Sequence, residues 1–405
     1  MADVISKNFA RQTAFLKSLV RVPSDNPPGD CAPHAEAAAK LLQKLGFKVE
    51  RHKVPRALVE KHGMRSVTNL VVRQKFGKGK GPVIALNAHG DVVPPGEGWS
   101  VDPYGAVEKK GAIYGRGAAV SKSDFATFAF ALLALKAEPK GLDGTVELHL
   151  TYDEEAGGFV GPKWLLDEKI TKPTFAISAG FSYAIVTAHN GCLHLEITVN
   201  GKQAHAAMPE SGADALEATV PVLRELYRER RRLSWHKSKT AGIGSAKLTV
   251  GLISGGINTN VVPDKVVLRV DRRVLPEEDG AEVEKALEKQ VRAAVRGEDG
   301  ISVDIRRILL AEPLRPAEGI DDLIRPLRAN AERILKVPIE VKGVPLYTDA
   351  RHYSDRGIPT VLYGAGPRTI LEANAHAANE HINLSDLKAA TQVITAALRD
   401  LLTKS

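Results

Sequence analysis

Up to about residue 188, short β-branched runs alternate with helical patterns, and that alternation restricts the fold more than any other property of the chain. The runs include Val67 to Val72, Val83 to Ala88, Thr145 to Thr151 and Phe175 to Ser178; helical patterns at Phe125 to Ala137 and Trp164 to Asp167 lie among them. Strands that alternate with helices imply a mainly parallel sheet with helices packed on it, since a parallel pair needs a crossover long enough to hold a helix. In such a sheet, functional groups collect at the C-terminal ends of the strands.

Near residue 190 the pattern changes. An alternating strand, Leu193 to Val199, precedes a helix from about Ala213 to Arg232, strands at Ala246 to Ile253 and Lys265 to Val270, a helix from Glu277 to Val295 and a strand at Ile301 to Ile305. This order describes a compact α+β, ferredoxin-like insert with an open-faced sheet. The α/β pattern resumes near Ala311, with helices at Ile320 to Leu335 and Leu384 to Leu402 around a strand at Thr360 to Tyr363. The expected organisation is therefore α/β, residues 1–188 with 308–405, interrupted by a separate α+β lobe at 189–307.

A chain of 405 residues, 43% hydrophobic, has the apolar content for two or three packed units. Its net charge of +8 arises from 56 basic and 48 acidic residues that are interleaved almost everywhere. At most this steers anionic substrates weakly, and no nucleic-acid interface is expected. The sharpest basic run, Arg228 to Arg232, continues a helical pattern begun at Ala215 and reads as a solvated helix end. Two cysteines, Cys31 and Cys192, cannot build a disulfide framework and match no metal-finger spacing, which suits a reducing compartment. Phe9, Phe15, Leu16 and Leu19 among polar residues read as an amphipathic helix, not a signal peptide, and no stretch has the length of a membrane span. The cytoplasm is the expected location.

Two motifs sit at expected strand ends: His89-Gly-Asp91 after Pro82 to Ala88, and Glu154-Glu155 after Val146 to Tyr152. A histidine after a buried strand is more often structural, and adjacent glutamates before Gly157-Gly158 could be two solvated acids. Together they supply what metal-assisted hydrolysis requires, imidazole and carboxylate ligands plus a carboxylate general base. Neighbouring strand residues point to opposite sides, but at a frayed strand end one glutamate can bind metal while the other holds the attacking water. Asp91 offers the partner that sets the tautomer of a ligating histidine. The glycines of Gly242-Ile-Gly244 and Gly255-Gly256 match no phosphate-loop spacing and read as turns.

His89-Gly-Asp91-Val-Val-Pro94, Tyr114-Gly-Arg-Gly-Ala118, Asp153-Glu-Glu-Ala-Gly-Gly158, Gly201-Lys-Gln-Ala-His205-Ala, Asn258-Thr-Asn260-Val-Val-Pro263, Thr348-Asp-Ala-Arg351 and Ala375-His376-Ala-Ala-Asn379-Glu380 follow one another over nearly the whole chain. In that order they resemble the aminoacylase/carboxypeptidase G family of metallopeptidases, which includes succinyl-diaminopimelate desuccinylases and acetylornithine deacetylases. The resemblance implies a zinc-peptidase-like catalytic domain with an inserted lid and dimerisation domain. It further implies that His89 binds one metal, Glu155 and His376 the other, that Glu154 is the general base and that Asp91 orients His89. His205, on the insert, would reach the partner subunit's active site to stabilise the oxyanion, and Asn260 and Arg351 would bind the substrate carboxylate or nearby oxygens.

Two positions depart from the family's pattern. Where the family carries an aspartate bridging both metals this chain has Val120, and where it carries Gly-Glu-Pro or an equivalent aspartate this chain reads Ser178-Ala-Gly180-Phe181. Without those acids the ligands implied by the resemblance reduce to His89, Glu155 and His376. That set suits one divalent ion, Zn or Mn, per subunit, with positions left open for water and substrate. Asp124 could swing in as a replacement ligand, although a first-turn aspartate stabilising a helix N-terminus is the simpler account. The expected function is metal-dependent hydrolysis of a C–N bond (amide, peptide or amine) in a small carboxylate-bearing substrate, by a homodimer. The alternative is a catalytically silent relative that binds a small ligand or serves as a structural dimer.

Overall fold

The computed structural model describes residues 2–369 and 371–403. The chain divides into two compact units, Met1–Thr187 with Pro316–Lys342 and Thr348–Ser405, and Ala188–Arg315 with Gly343–Tyr347. The second unit runs past the 189–307 expected from sequence for a local reason. Strand pairing continues to Ala311, and Arg315 donates to the carbonyls of Pro276 and Glu278 at 2.8 Å each. Gly343 joins it through a 2.8 Å bond from its N–H to Ala241 O.

Up to the insert the elements are α1 (Ala2–Val20), α2 (Ala32–Lys44), β1 (Val49–Lys53), α3 (Arg56–Lys61), β2 (Thr68–Phe76), β3 (Val83–His89), β4 (Val107–Lys109), β5 (Ala112–Tyr114), α4 (Lys122–Ala137), β6 (Gly144–Thr151), α5 (Pro162–Asp167), β7 (Phe175–Ser178) and β8 (Ala184–His189). The insert contributes β9 (Gly191–Asn200), α6 (Ala215–Leu233), β10 (Lys247–Gly255), β11 (Lys265–Val274), α7 (Gly280–Ala294) and β12 (Ser302–Ala311). The chain then forms α8 (Ile320–Leu335), β13 (Glu340–Val344), α9 (Ala350–Ser354), β14 (Thr360–Leu362), β15 (His381–Asn383) and α10 (Leu384–Leu402).

The large sheet has the order β1-β2-β6-β3-β7-β14-β8-β13. The parallel arrangement implied by the alternating sequence holds for the four central strands, β6-β3-β7-β14, whereas β1, β2 and β8 pair antiparallel. Burial on both faces explains why β3 is apolar from Val83 to Leu86 without alternation. Ile84, Leu86 and Ala88 enter the main core, and Ala85 joins a smaller cluster with Leu166, Ala176 and Tyr353. By the two-residue period of a strand, Asn87 and His89 share the side of Ala85.

Helix α4 packs on β3 and β6 beneath α1 and α10. It is buried all round, so its sequence shows no polar stripe, and Phe125, Phe128 and Leu132 have no exposed surface. Each such side chain contributes roughly 1.5–3 kcal/mol by burial.

In the insert, β10-β11-β9-β12 form an antiparallel sheet. Leu193, Leu195, Ile197 and Val199 of β9 are buried, while His194, Glu196, Thr198 and Asn200 lie on the more open face. Helix α6 starts where Asp214 accepts from the N–H groups of Leu216 and Glu217, and α7 where Asp279 accepts from Glu282 N. Among the described residues no helix is long and apolar enough to cross a membrane.

Candidate active site

Strand β3 ends at His89, whose backbone is clamped by Ser121: Ser121 Oγ accepts from His89 N at 3.1 Å and donates to His89 O at 3.0 Å. The ring's Nδ1 lies 3.0 Å from Asp91 O and 3.4 Å from Asp91 Oδ1. With Nδ1 donating there, Nε2 keeps its lone pair for a ligand, and it stands 3.9 Å from Glu154 Oε2.

Asp91 does more than face His89. Its wholly buried carboxylate accepts from Glu154 N (3.2 Å), Glu155 N (3.1 Å) and Asn26 Nδ2 (3.0 Å), so one side chain joins the two sequence motifs. The two glutamates lie in a short 3-10 turn, Glu154–Ala156, that ends at Gly157 with φ +105°. This turn breaks the strand alternation and brings both carboxylates to His89: the donor atoms of His89, Glu154 and Glu155 lie within 4.8 Å of one another. Glu155 Oε1 is also 3.1 Å from Nε2 of the half-exposed His376. The loop bearing His376 is held by Asn379, whose Oδ1 accepts from Ser100 N (2.9 Å) and Ser100 Oγ (2.7 Å).

The site is crowded with acid. Burial would keep His89 neutral, yet Glu154, Asp91 and Glu155 together raise it well above the ordinary imidazole range. Burial, reinforced by Glu155 and Asp91 and opposed by His89 and Arg351, pushes Glu154 up to about 8. Asp153 and Asp349 are held well above the carboxylate range, first by burial and then by neighbouring acids. Glu155 raises His376. The carboxyl groups of Asp91, Glu154, Glu155 and Asp349 outnumber the basic groups around them, His89, His376 and Arg351, and imidazole and carboxylate are the donors that Zn and Mn accept. The residues fit a divalent cation.

At the two departures from the family pattern the surroundings differ. Val120 is half-buried, and its N–H donates to Glu380 Oε1 at 3.1 Å. Glu380 is itself buried, takes Ala119 N at 3.0 Å and pairs with Arg116 Nη1 at 2.6 Å. Gly180 is packed against β14: a Cβ there would stand 2.7 Å from Leu362 Cβ and 2.9 Å from Leu362 C. An acid at this position requires the backbone to move. Asp124 neither swings toward the ion site nor simply decorates the first turn of α4. Its buried Oδ1 accepts from Ala365 N at 2.8 Å, which ties α4 to the loop after β14, and burial raises it to about 7.

Arg351 is buried, donates from Nη2 to Gly157 O and lies 5.5 Å from the Phe159 ring, so it supports the turn that carries Glu154. His205 and Asn260 lie together on the insert: Ala206 N donates to Asn260 O at 3.1 Å, and His205 bridges Val261. Sequence reasoning assigned no role to Ser121, Asn26, Glu380 or Asp349. Glu380 and Asp349 stand inside motifs already singled out, so their place in a motif was the available signal. Ser121 and Asn26 carried none, because a single polar residue among loops has no pattern.

A profile of peptidase family M20/M25/M40 matches residues 85–400. The chain belongs to this family. It is a metallohydrolase of C–N bonds, with relatives that are named for amide hydrolysis. It is 28% identical over 344 residues to succinyl-diaminopimelate desuccinylase of Sulfurimonas denitrificans, covering 80% of this chain and 85% of the relative. To acetylornithine deacetylase of Myxococcus xanthus it is 29% identical over 375 residues, 90% of this chain and 91% of the relative. Its fold is that of a dinuclear metal-binding M20 peptidase from Bacillus subtilis, at TM-score 0.71 and 16% identity, with 98% of this chain and 100% of the other covered.

Proposed function

We propose that this M20 protein hydrolyses the amide of a small N-acylated, carboxylate-bearing compound, in the manner of the desuccinylases and deacetylases it is similar to, with one divalent ion, Zn or Mn, per active site. The observation that carries this reading is the Glu154-Glu155 turn, suspended from Asp91, with its carboxylates gathered on His89 and Glu155 reaching His376. His89, Glu155 and His376 would hold the ion, which supplies charge that polarises the scissile carbonyl and acidifies a water molecule.

Glu154 takes the proton from the attacking water and returns it to the leaving amine. Burial and the neighbouring acids raise Glu154 above the carboxylate range, and the charge of the bound ion would lower it again toward the range in which it can accept the water proton and release it near neutrality. Asp91 fixes the His89 ring and the Glu154 turn. His205, supplied across a homodimer, donates to the oxyanion, while Asn260 and Arg351 receive the substrate carboxylate. The insert supports the dimer reading with exposed Leu252 and Ile253 on its edge strand β10, and exposed Leu216, Val220 and Tyr227 on α6. The cytoplasm suits a chain in which neither Cys31 nor Cys192 is in a disulfide.

The absence of acids at Val120 and Gly180 supports the second reading, a silent ligand-binding or structural relative. Turnover of N-succinyl and N-acetyl amino acids, measured beside metal content, separates the two. The hydrolase reading expects activity that chelation removes and that Glu154→Gln abolishes, with folding and metal binding intact. Full activity in Glu154→Gln removes the general-base role; no turnover and no bound metal favours the silent relative.

A further inference from the structure

Cys192, His194 and Asp271 converge on the more open side of the insert's sheet and belong to no part of the hydrolase site. Cys192 and His194 are two residues apart on β9, and Asp271 of β11 is the direct cross-strand partner of His194. Cys192 Sγ is 3.0 Å from His194 Nε2, His194 Nε2 is 3.1 Å from Asp271 Oδ2, and Cys192 Sγ is 3.8 Å from Asp271 Oδ2. Zn–S near 2.3 Å and Zn–N or Zn–O near 2.0–2.1 Å in a tetrahedron put donor atoms about 3.3–3.6 Å apart. The triangle already present needs adjustments of only a few tenths of an ångström.

The surroundings prepare these atoms as a set. All three residues sit in a hydrogen-bonded ladder, where the backbone leaves little freedom to the donors. Arg273, opposite Cys192 in the same ladder, donates from Nε to Asp271 Oδ1 at 3.0 Å and turns Oδ2 toward the other two donors. Glu196, next on that face of β9, is taken by Arg269 and Arg306 at 3.0 and 2.8 Å and stays outside the set. Cys192 is buried, whereas the His194 and Asp271 side chains are 34% and 30% exposed, which leaves an entry path and a position for water.

We propose that Cys192, His194 and Asp271 form a second cation site, thiolate-containing and selective for Zn²⁺ over Mn²⁺ or Mg²⁺, that pins β9 to β11. Binding releases the Cys192 thiol proton to solvent, and neutral His194 coordinates through Nε2 while water fills the fourth position. Arg273 remains the counter-charge that steadies the carboxylate. Sequence spacing cannot reveal the site, because strand pairing alone brings Asp271 to the Cys192-x-His194 pair.

Cobalt substitution tests this without reference to activity. The hydrolase donors contain no sulfur, so a near-ultraviolet thiolate-to-cobalt charge-transfer band reports only a cysteine site. Chelator-stripped full-length protein titrated with Co²⁺ should develop this band and saturate it by two ions per chain, the hydrolase site taking the other ion, and should lose it on adding two equivalents of Zn²⁺. The band should vanish in Cys192→Ser and persist in Cys31→Ala and His89→Ala. Should Cys192→Ser fail to fold, the partly exposed His194→Gln and Asp271→Asn decide the matter, with cobalt affinity at this band expected to fall at least tenfold. No band in the unmodified protein, a band that survives Cys192→Ser, or unchanged affinity in both exposed variants overturns the site and leaves the trio a hydrogen-bond chain.

Discussion

Asp91→Asn isolates the residue on which the active site hangs. The carboxylate accepts three hydrogen bonds, with Oδ1 serving Glu154 N and Oδ2 serving Glu155 N and Asn26 Nδ2. An asparagine has one acceptor oxygen. If that oxygen keeps the Oδ2 pair, its NH2 faces Glu154 N, donor against donor; the flipped amide strands two donors instead. Losing one charged hydrogen bond costs about 1.5–3 kcal/mol, and an unsatisfied buried N–H about 1–3 kcal/mol more. Relief of acid crowding opposes this, because Asp91 is among the groups that raise Glu154, Asp153 and Asp349. Burial comes first for all three, so the relief is the smaller effect and the net loss is on the order of 2–4 kcal/mol.

Urea unfolding of chelator-treated protein measures that loss. Zinc competition with a chromophoric chelator should show affinity lowered about 10–100-fold, as expected when the partner of a ligating histidine is removed. Turnover should fall with it at saturating metal, since the Glu154 turn is displaced. A variant with unchanged stability and unchanged zinc affinity refutes the reasoning. Lost stability with full activity would reduce Asp91 to a structural joint.

Glu380→Gln leaves Arg116 buried without its counter-charge, and calorimetry should show destabilisation of about 3–5 kcal/mol; a loss under 1 kcal/mol would contradict the buried pair. Asp124 is raised from 3.8 to about 7 by burial, so the fold favours its protonated form. The stability it contributes is complete below about pH 4 and lost as pH rises through 7. Asp124→Asn retains an acceptor for Ala365 N and should stabilise the chelator-treated protein above pH 7 by up to about 4 kcal/mol, with little change at pH 4. Gly180→Ala should destabilise by about 1–3 kcal/mol through overpacking against Leu362. Val120→Asp, made at a half-buried loop position, should raise tightly held metal by one ion per chain over the unmodified protein by elemental analysis; unchanged metal content would show that the missing bridge does not limit the count.

The alternation of runs up to residue 188 and the change near residue 190 are enough to read a helix-covered sheet and an α+β insert, because apolar periodicity records which side of each element is covered. The ends of β3 and β6 were legible as chemistry because acids and histidine interrupt apolar strands there. The antiparallel outer pairs of the large sheet were not, since edge and centre strands differ in partners more than in composition. Helix α4, buried on every side, shows only that it is helical and apolar, and its neighbours come from far along the chain.

By its sequence alone, this chain determined its donor types, His89, Glu154, Glu155 and His376, and the loss of acids at Val120 and Gly180. Tertiary structure decided what these residues can do together. It hung the Glu154-Glu155 turn from Asp91, spent Asp124 on Ala365, closed Gly180 against Leu362 and set Asp271 beside Cys192 and His194. The physical reason is that a residue's type sets its charge and its donor atoms, whereas hydrogen bonds, dielectric and available space depend on what the folded chain places within a few ångströms of it.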